Sequence, residues 1–266
     1  MSKIPSIAMI PSGYKASKLY SVLPTDGTGD FTTSRASVAT RVNENGLLEE
    51  VASNVPRLDY SVGGCPSLLL EPTATNLIPY SEDFSNAAWT KTSSTISLAS
   101  SAISTSSNYT IFETSVLGGY ISSGVSSTSS VVTFSIYAKK GTAKAIRIRL
   151  DASVDANCWV NLESGTEVGS HSGQSLEINS FNNDFYRISF TANVTSLSLI
   201  RLYTTEATTT SDKIGNVYIY GAQLEENSYP TSYIKTVGTT QTRVADTASG
   251  SGSSAVINSS EGVLYA

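Results

Sequence analysis

The chain has 266 residues, of which 39% are hydrophobic and 15% charged, with a net charge of −5 and a pI near 5.0. Abundant Ser, Thr and Gly beside 2 Met and 8 Pro suit strands and turns, which excludes a helical bundle or a coiled coil. No basic field draws nucleic acid, no apolar run is long enough to insert in a membrane as a helix, and the opening MSKIPSIAMI lacks the core of a secretory signal.

Residues 1–75 hold short apolar runs separated by turn signals. Asp26-Gly27-Thr28-Gly29-Asp30 reads as a loop, and Asn45-Gly46 as a hairpin turn between Ala39–Val42 and Leu47–Val51. Gly63-Gly64-Cys65-Pro66 turns the chain before Leu68-Leu69-Leu70, which Glu71-Pro72 stops. These pieces are too short to enclose a core, so the region is expected to be an extended arm of short hairpins that needs another surface. Its expected contacts are Arg35, Arg41, Arg57 and Asp59, the arginines pairing with Glu49, Glu50 or Asp59 in one subunit or across two.

Residues 76–240 alternate with period two. Val132-Phe134-Ile136-Ala138 interleaves with Thr133-Ser135-Tyr137-Lys139, and Ile146-Ile148-Leu150 with Arg147-Arg149-Asp151. Tyr186-Ile188-Phe190 and Val217-Ile219 repeat the pattern, and Gly-Ser runs punctuate the strands. Eight or more such strands predict an antiparallel jelly-roll sandwich, so the fold class is all-β. Phe134, Ile136, Ile148, Ile188 and Phe190 are expected inward, and Ser135, Arg147, Arg149 and Arg187 outward. Trp89 and Trp159 are expected as core anchors, with sugar stacking as the alternative. Tyr137, Tyr218 and Tyr220, opposite the apolar positions, and Arg147 and Arg149 suit three uses: stacking glycan rings, filling a subunit interface, or packing within the chain. Residues 241–266 read as a Ser/Thr/Gly-rich linker followed by the start of a further β domain, as in a fragment of a longer protein.

Groups for catalysis are few. His171 is the only histidine and sits in a Gly-Ser loop, and no Gly-x-Ser-x-Gly elbow is present. The adjacent pairs Glu49-Glu50, Glu82-Asp83 and Glu225-Glu226 point to opposite faces of a strand, whereas glycoside hydrolysis needs two carboxylates facing each other. A distant pair such as Asp151 with Glu163 stays open. Cys65 and Cys158 fit reduced thiols and no zinc site. The expectation is a protein that is not an enzyme and holds no cofactor, with Ca2+ at Glu82, Asp83, Asp151 or Asp155 the one metal considered.

Two stretches carry a family resemblance. Phe31-Thr32-Thr33-Ser34-Arg35-Ala36-Ser37-Val38-Ala39-Thr40-Arg41-Val42-Asn43, then Asn45-Gly46-Leu47-Leu48-Glu49, Asn54-Val55-Pro56-Arg57-Leu58-Asp59-Tyr60, Cys65-Pro66-Ser67-Leu68-Leu69-Leu70-Glu71-Pro72 and Tyr80-Ser81-Glu82-Asp83-Phe84, resemble the N-terminal module of tailed-bacteriophage head-fibre, head-spike-fibre and tail-fibre-like proteins. Tyr220-Gly221-Ala222-Gln223-Leu224-Glu225 with Tyr229-Pro230-Thr231-Ser232-Tyr233-Ile234 is similar to the closing strand of carbohydrate-binding-module-like jelly rolls in such proteins. The resemblance implies a structural protein of a phage virion, a head- or tail-attached fibre or spike subunit made in the host cytoplasm. It implies a homotrimer in contact with capsid or tail proteins, host-surface glycan recognition as the alternative role, and a capsule depolymerase or glycosidase as the third.

Overall fold

The computed structural model describes residues 14–15, 18–19, 30–169 and 174–250. The loop residues before Asp30, the His171 loop and the expected strand after Gly250 lie outside the described residues. The chain forms two compact units, residues 1–73 with 243–266 and residues 74–242.

In the first unit, β1 (Tyr14–Lys15), β2 (Lys18–Leu19) and β3 (Phe31–Ser34) pair in succession. A hairpin comes next, β4 (Ala39–Val42) with β5 (Leu48–Val51), and then the short pair β6 (Leu58–Asp59) and β7 (Ser67–Leu68). Val42 pairs with Leu48, so the turn spans residues 43–47 rather than two residues. Asn43 sets that length, because its Oδ1 accepts from the amides of Asn45 and Leu47 at 3.0 Å each.

The second unit begins with β8 (Ala74–Asn76) and then builds two antiparallel sheets. Its strands are β9 (Trp89–Thr92), β10 (Ser94–Ala102), β11 (Asn108–Thr114), β12 (Tyr120–Ser127), β13 (Val131–Lys140), β14 (Ala145–Asp151), β15 (Ala156–Asn161), β16 (Thr166–Glu167), β17 (Gln174–Phe181), β18 (Phe185–Asn193), β19 (Leu197–Thr205) and β20 (Gly215–Glu225). One sheet runs β10-β11-β20-β13-β18-β17 and the other β16-β15-β14-β19-β12-β9. The central strands β11-β20-β13-β18 and β12-β19-β14-β15 have the order of a jelly roll, the chain crossing repeatedly from one sheet to the other.

Period-two alternation fills the space between the sheets. Phe134, Ile136, Ile148, Ile188 and Phe190 are all fully buried there, as expected, with Phe112, Ile200, Leu202, Ile219 and Leu224. Trp89 is buried as well, its Nε1 donating to the Tyr80 carbonyl at 2.8 Å. Opposite Ile136 the register of β20 slips between Gln223 and Tyr220, a bulge at Gly221, whose φ of 63° needs glycine.

The outer face of the β13 sheet departs from the expected exposure. Ser135 is buried because residues 226–237, after β20, fold back over this face. Gln223 holds the segment from beneath, donating from Nε2 to the Thr231 and Ser232 carbonyls and accepting from the Ile234 amide at 2.6 Å. Arg187 donates to the Thr231 carbonyl from below. The covering was not legible as alternation, since the segment forms no strand.

Past β21 (Gln241–Arg243), which pairs with β8, the chain returns to the first unit. There β22 (Thr247–Ser249) pairs with β3, Ala248 opposite Thr33. The expected linker at Thr247–Ser249 is therefore a strand. With it comes Asp246, the acceptor for two buried arginines. Arg35, 2% exposed, donates to Asp246 Oδ1 at 3.0 Å and spends its other N–H groups on the carbonyls of Ser37, Val51, Ala52 and Val55. Arg57, 0% exposed, donates to Asp246 Oδ2, to the Thr40 carbonyl at 3.0 Å and to Glu71 Oε2 at 2.8 Å. Arg243, also buried, lies 3.6 Å from Glu71 and 3.7 Å from Asp246.

Of the expected arm pairs, Arg41 with Glu49 is present, Nη2 to Oε2 at 2.6 Å. Arg35 and Arg57 choose Asp246 and Glu71 rather than Glu50 or Asp59. Asp59 instead accepts from the Val42 amide at 2.8 Å and from Ser61. The hairpins were legible, but the closing segment, some 170 residues along the chain from Glu71, was not.

Two outcomes are expected for stability. Phe134→Ala should cost the sandwich about 3–5 kcal/mol, read from denaturant unfolding, whereas Arg147→Ala should cost well under that. Asp246→Ala strips the shared acceptor from buried guanidinium groups and should destabilise the first unit by about 3–5 kcal/mol, lowering its thermal transition while the sandwich's is unchanged.

Candidate functional site

The outer face of the β14 sheet is where the fold gathers the residues suited to recognition. Antiparallel register sets them in rows. Tyr120 of β12 lies opposite Tyr203 of β19, Tyr203 opposite Arg147 of β14, and Arg147 opposite Trp159 of β15. The next row runs Ser122, Arg201, Arg149 and Asn157. Thr92 and Thr90 of β9 extend the two rows at one end. All alternate with inward residues such as Ile146, Ile148, Ile200 and Leu202, so the packed core fixes which way they face.

The first row is a stack of rings and charge. The Arg147 guanidinium carbon lies over Trp159 at 5.2 Å and over Tyr203 at 4.7 Å. Tyr203 and Tyr120 have ring centroids 5.2 Å apart, and Arg201 lies over Tyr120 at 5.1 Å. A cation over a ring at these distances is attracted by the ring quadrupole, by about 0.5–2 kcal/mol as solvent is withdrawn. Arg147 also donates from Nε and Nη2 to Asn157 Oδ1 at 3.0 and 2.8 Å.

The second row is held by carboxylates. Asp151 accepts from Arg149 Nε at 2.5 Å and pairs with Arg201 at 2.7 Å, while Asp155 takes Arg149 Nη2 at 2.6 Å. Apart from Tyr203, which is buried, the aromatic and arginine side chains of both rows are half-buried. The face is a firm, partly exposed relief of rings, amides and guanidinium groups.

This arrangement sorts the expected recognition residues. Arg147 and Arg149 stand on the face. Tyr137 and Tyr220 do not: they are 3% and 2% exposed on the other sheet, and covered. Tyr137 packs on Phe181 at 4.8 Å, with Arg187 over its ring at 5.7 Å, and Tyr220 packs on Tyr233 of the covering segment at 5.7 Å. Neither is available to a glycan or a neighbouring subunit, which corrects that expectation. Tyr218, half-buried on the same sheet, makes an edge contact with Tyr109 at 5.2 Å, and Tyr109 packs on Phe185 at 5.0 Å. Trp159, expected as a core anchor, is half-buried on the candidate face.

Tyr120, Arg201 and Tyr203 were absent from the expected set, and Trp159 stood in it only as the lesser alternative to a core anchor. Their alternation with Ile121, Cys158, Ile200 and Leu202 was the signal that would have found them. Their alignment in one row depends on register across four strands, which no local pattern carries.

The acids considered for calcium, and Glu163, considered as a carboxylate partner of Asp151, are engaged otherwise. Glu82 accepts from the hydroxyls of Tyr220 at 2.7 Å, Tyr233 at 3.1 Å and Ser107 at 2.8 Å, and pairs with Lys235 at 2.9 Å. Asp83 accepts from Ser85 and from the amide of Asn86. Asp151 and Asp155 hold arginines, and Glu163 is bridged by Lys140 and Lys144 at 3.0 Å each. Burial, with the Glu82 charge beside them, pushes the Tyr220 and Tyr233 hydroxyls well above the ordinary tyrosine range. Burial likewise raises the Cys158 thiol, which is free, as is exposed Cys65.

No family model and no curated protein matches the chain. Among solved structures it is similar to the crystal structure of the enzymatically active domain of bacteriophage CBA120 tailspike protein 4. The identity is 12%, the match covers 56% of this chain and 21% of that one, and the TM-score is 0.34. The likeness is too slight to carry a site or an activity across. It does remove one expectation: with an enzymatically active tailspike domain as its neighbour, the chain is no longer read as a non-enzyme.

The Tyr220 and Tyr233 shifts have a definite sign in stability. A hydroxyl whose pKa is raised by folding leaves stability intact below the unfolded tyrosine value of about 10 and removes it as pH climbs beyond. Denaturant titrations should therefore show an alkaline decline that sets in near pH 10, and Tyr220→Phe should make that decline shallower.

Proposed function

We propose that the protein is a subunit of a bacteriophage virion appendage, a head- or tail-attached fibre or spike, whose jelly roll meets glycan on the host surface. The single observation that carries glycan contact is the row Tyr120, Tyr203, Arg147 and Trp159 on one face. Sugar rings present apolar faces that stack on aromatic side chains and hydroxyls that bond to amide and guanidinium groups, and this face holds both. The appendage reading is supported by the resemblance of residues 31–84 to the N-terminal module of phage fibre proteins. In this reading the protein acts as a homotrimer attached to other virion proteins through its N-terminal unit, and calcium has no assigned role.

The experiment is binding of the purified protein to host-cell surface polysaccharide, with Trp159→Ala as the variant. Trp159 lies outside the sandwich core cluster, so the variant should still fold, with a lowered thermal midpoint, while binding falls about tenfold. Undiminished binding by the variant would move the contact away from this face. Release of reducing ends in the same mixtures measures whether the bound polysaccharide is also cut.

A further inference from the structure

The charges of the candidate face do not cancel. Arg149 and Arg201 are matched by Asp151 and Asp155 through ion pairs of 2.5–2.7 Å. Arg147 has no carboxylate partner among the described residues: its hydrogen bonds go to the neutral Asn157 carboxamide, through Nε and Nη2. Its Nη1 has no acceptor among them. The remaining neighbours of this guanidinium, Trp159 and Tyr203, steady its position through their rings but neutralise nothing. One half-buried positive charge therefore stands uncompensated between aromatic walls, on a chain whose net charge is −5.

We infer that this face takes acidic glycans, sugars bearing a carboxylate, with Arg147 receiving the carboxylate while Trp159 stacks on the ring beside it. The inference rests on the glycan reading above and specifies its ligand class. A neutral sugar leaves the guanidinium charge unmatched after displacing the water around it, whereas a carboxylate restores the lost solvation with a charge-assisted hydrogen bond. Guanidinium is also the cation suited to the task, because its planar donors fit a carboxylate and it tolerates aromatic neighbours. Thr90 and Thr92, at one end of the same two rows, supply hydroxyls for the rest of the sugar. With an acidic chain around it, attraction is short-ranged and does not extend to polyanions in general.

The test is an array of acidic bacterial surface polysaccharides, each beside its carboxyl-reduced form, so that the ligand's charge changes without touching the protein. The full chain should bind the acidic form about tenfold or more tightly than the reduced form, with the preference shrinking as salt rises. Arg147→Gln should abolish the preference, Arg147→Lys should keep part of it, and Trp159→Ala should weaken both forms alike. Equal binding of the acidic and reduced forms, or a preference that survives Arg147→Gln, overturns the acidic-ligand assignment and leaves glycan binding standing. Binding to none of the polysaccharides, together with none to host cells, overturns both.

Discussion

The structure of the larger unit depends on register. Each strand of the sandwich carries two sets of side chains, and burial of Phe134, Ile148, Ile188 or Leu202 fixes which set faces in. A slip of one residue in β14 would place Arg147 and Arg149 in the core and Ile148 in water, a cost no surface interaction could offset. The candidate face is therefore a by-product of core packing: the outward set has no freedom to face elsewhere. What selection can alter is the identity of the outward residues. In β12, β19, β14 and β15 these are rings, amides and arginines, aligned to touch.

The two outer faces of the sandwich have been put to different uses by the same means. On the β13 sheet, residues 226–237 lie across the outward tyrosines, and buried or half-buried polar groups bind them down: Gln223, Arg187 and Glu82 each reach a backbone or hydroxyl partner there. Glu225 completes the set by accepting from the amide and hydroxyl of Thr231. Aromatic residues on that sheet thereby serve stability. On the β14 sheet, among the described residues, the aromatic side chains pack on one another and on the arginines. Similar sequence chemistry yields an internal layer in one case and a presented surface in the other, and the path of the chain after β20 decides between them.

This difference marks the limit of what was legible. The all-β class, the sandwich, the inward register of Phe134 to Ile136 and of Ile188 to Phe190, and the hairpin at residues 39–51 come from local alternation and turn chemistry. Tyr137 and Tyr220 looked like recognition residues because alternation reports which face a side chain takes and says nothing of what lies on that face. Trp159 read as core ahead of a stacking role because the alternation of β15, a short run, was not read from the sequence. Asp246 was hidden for another reason. It stands in a stretch whose composition is that of a linker, and its partners, Arg35 and Arg57, are more than 180 residues away.

That long-range pairing changes how the chain should be understood. In sequence, residues 74–242 are an insertion within the first unit, which is completed only by residues after 242. The departing and returning segments meet inside the first unit: the Asp246 amide donates to the Glu71 carbonyl at 2.9 Å, and the Glu71 amide to Asp246 Oδ2 at 3.1 Å. Arg57 joins the two by reaching both carboxylates. Burying such charges adds little net stability over apolar packing, but it is demanding of geometry, because any other partner for Arg57 leaves a buried charge unmatched. The small apolar core here, built on Leu48, Val51 and Leu58, could not by itself specify where a distant segment docks. The carboxylates do specify it.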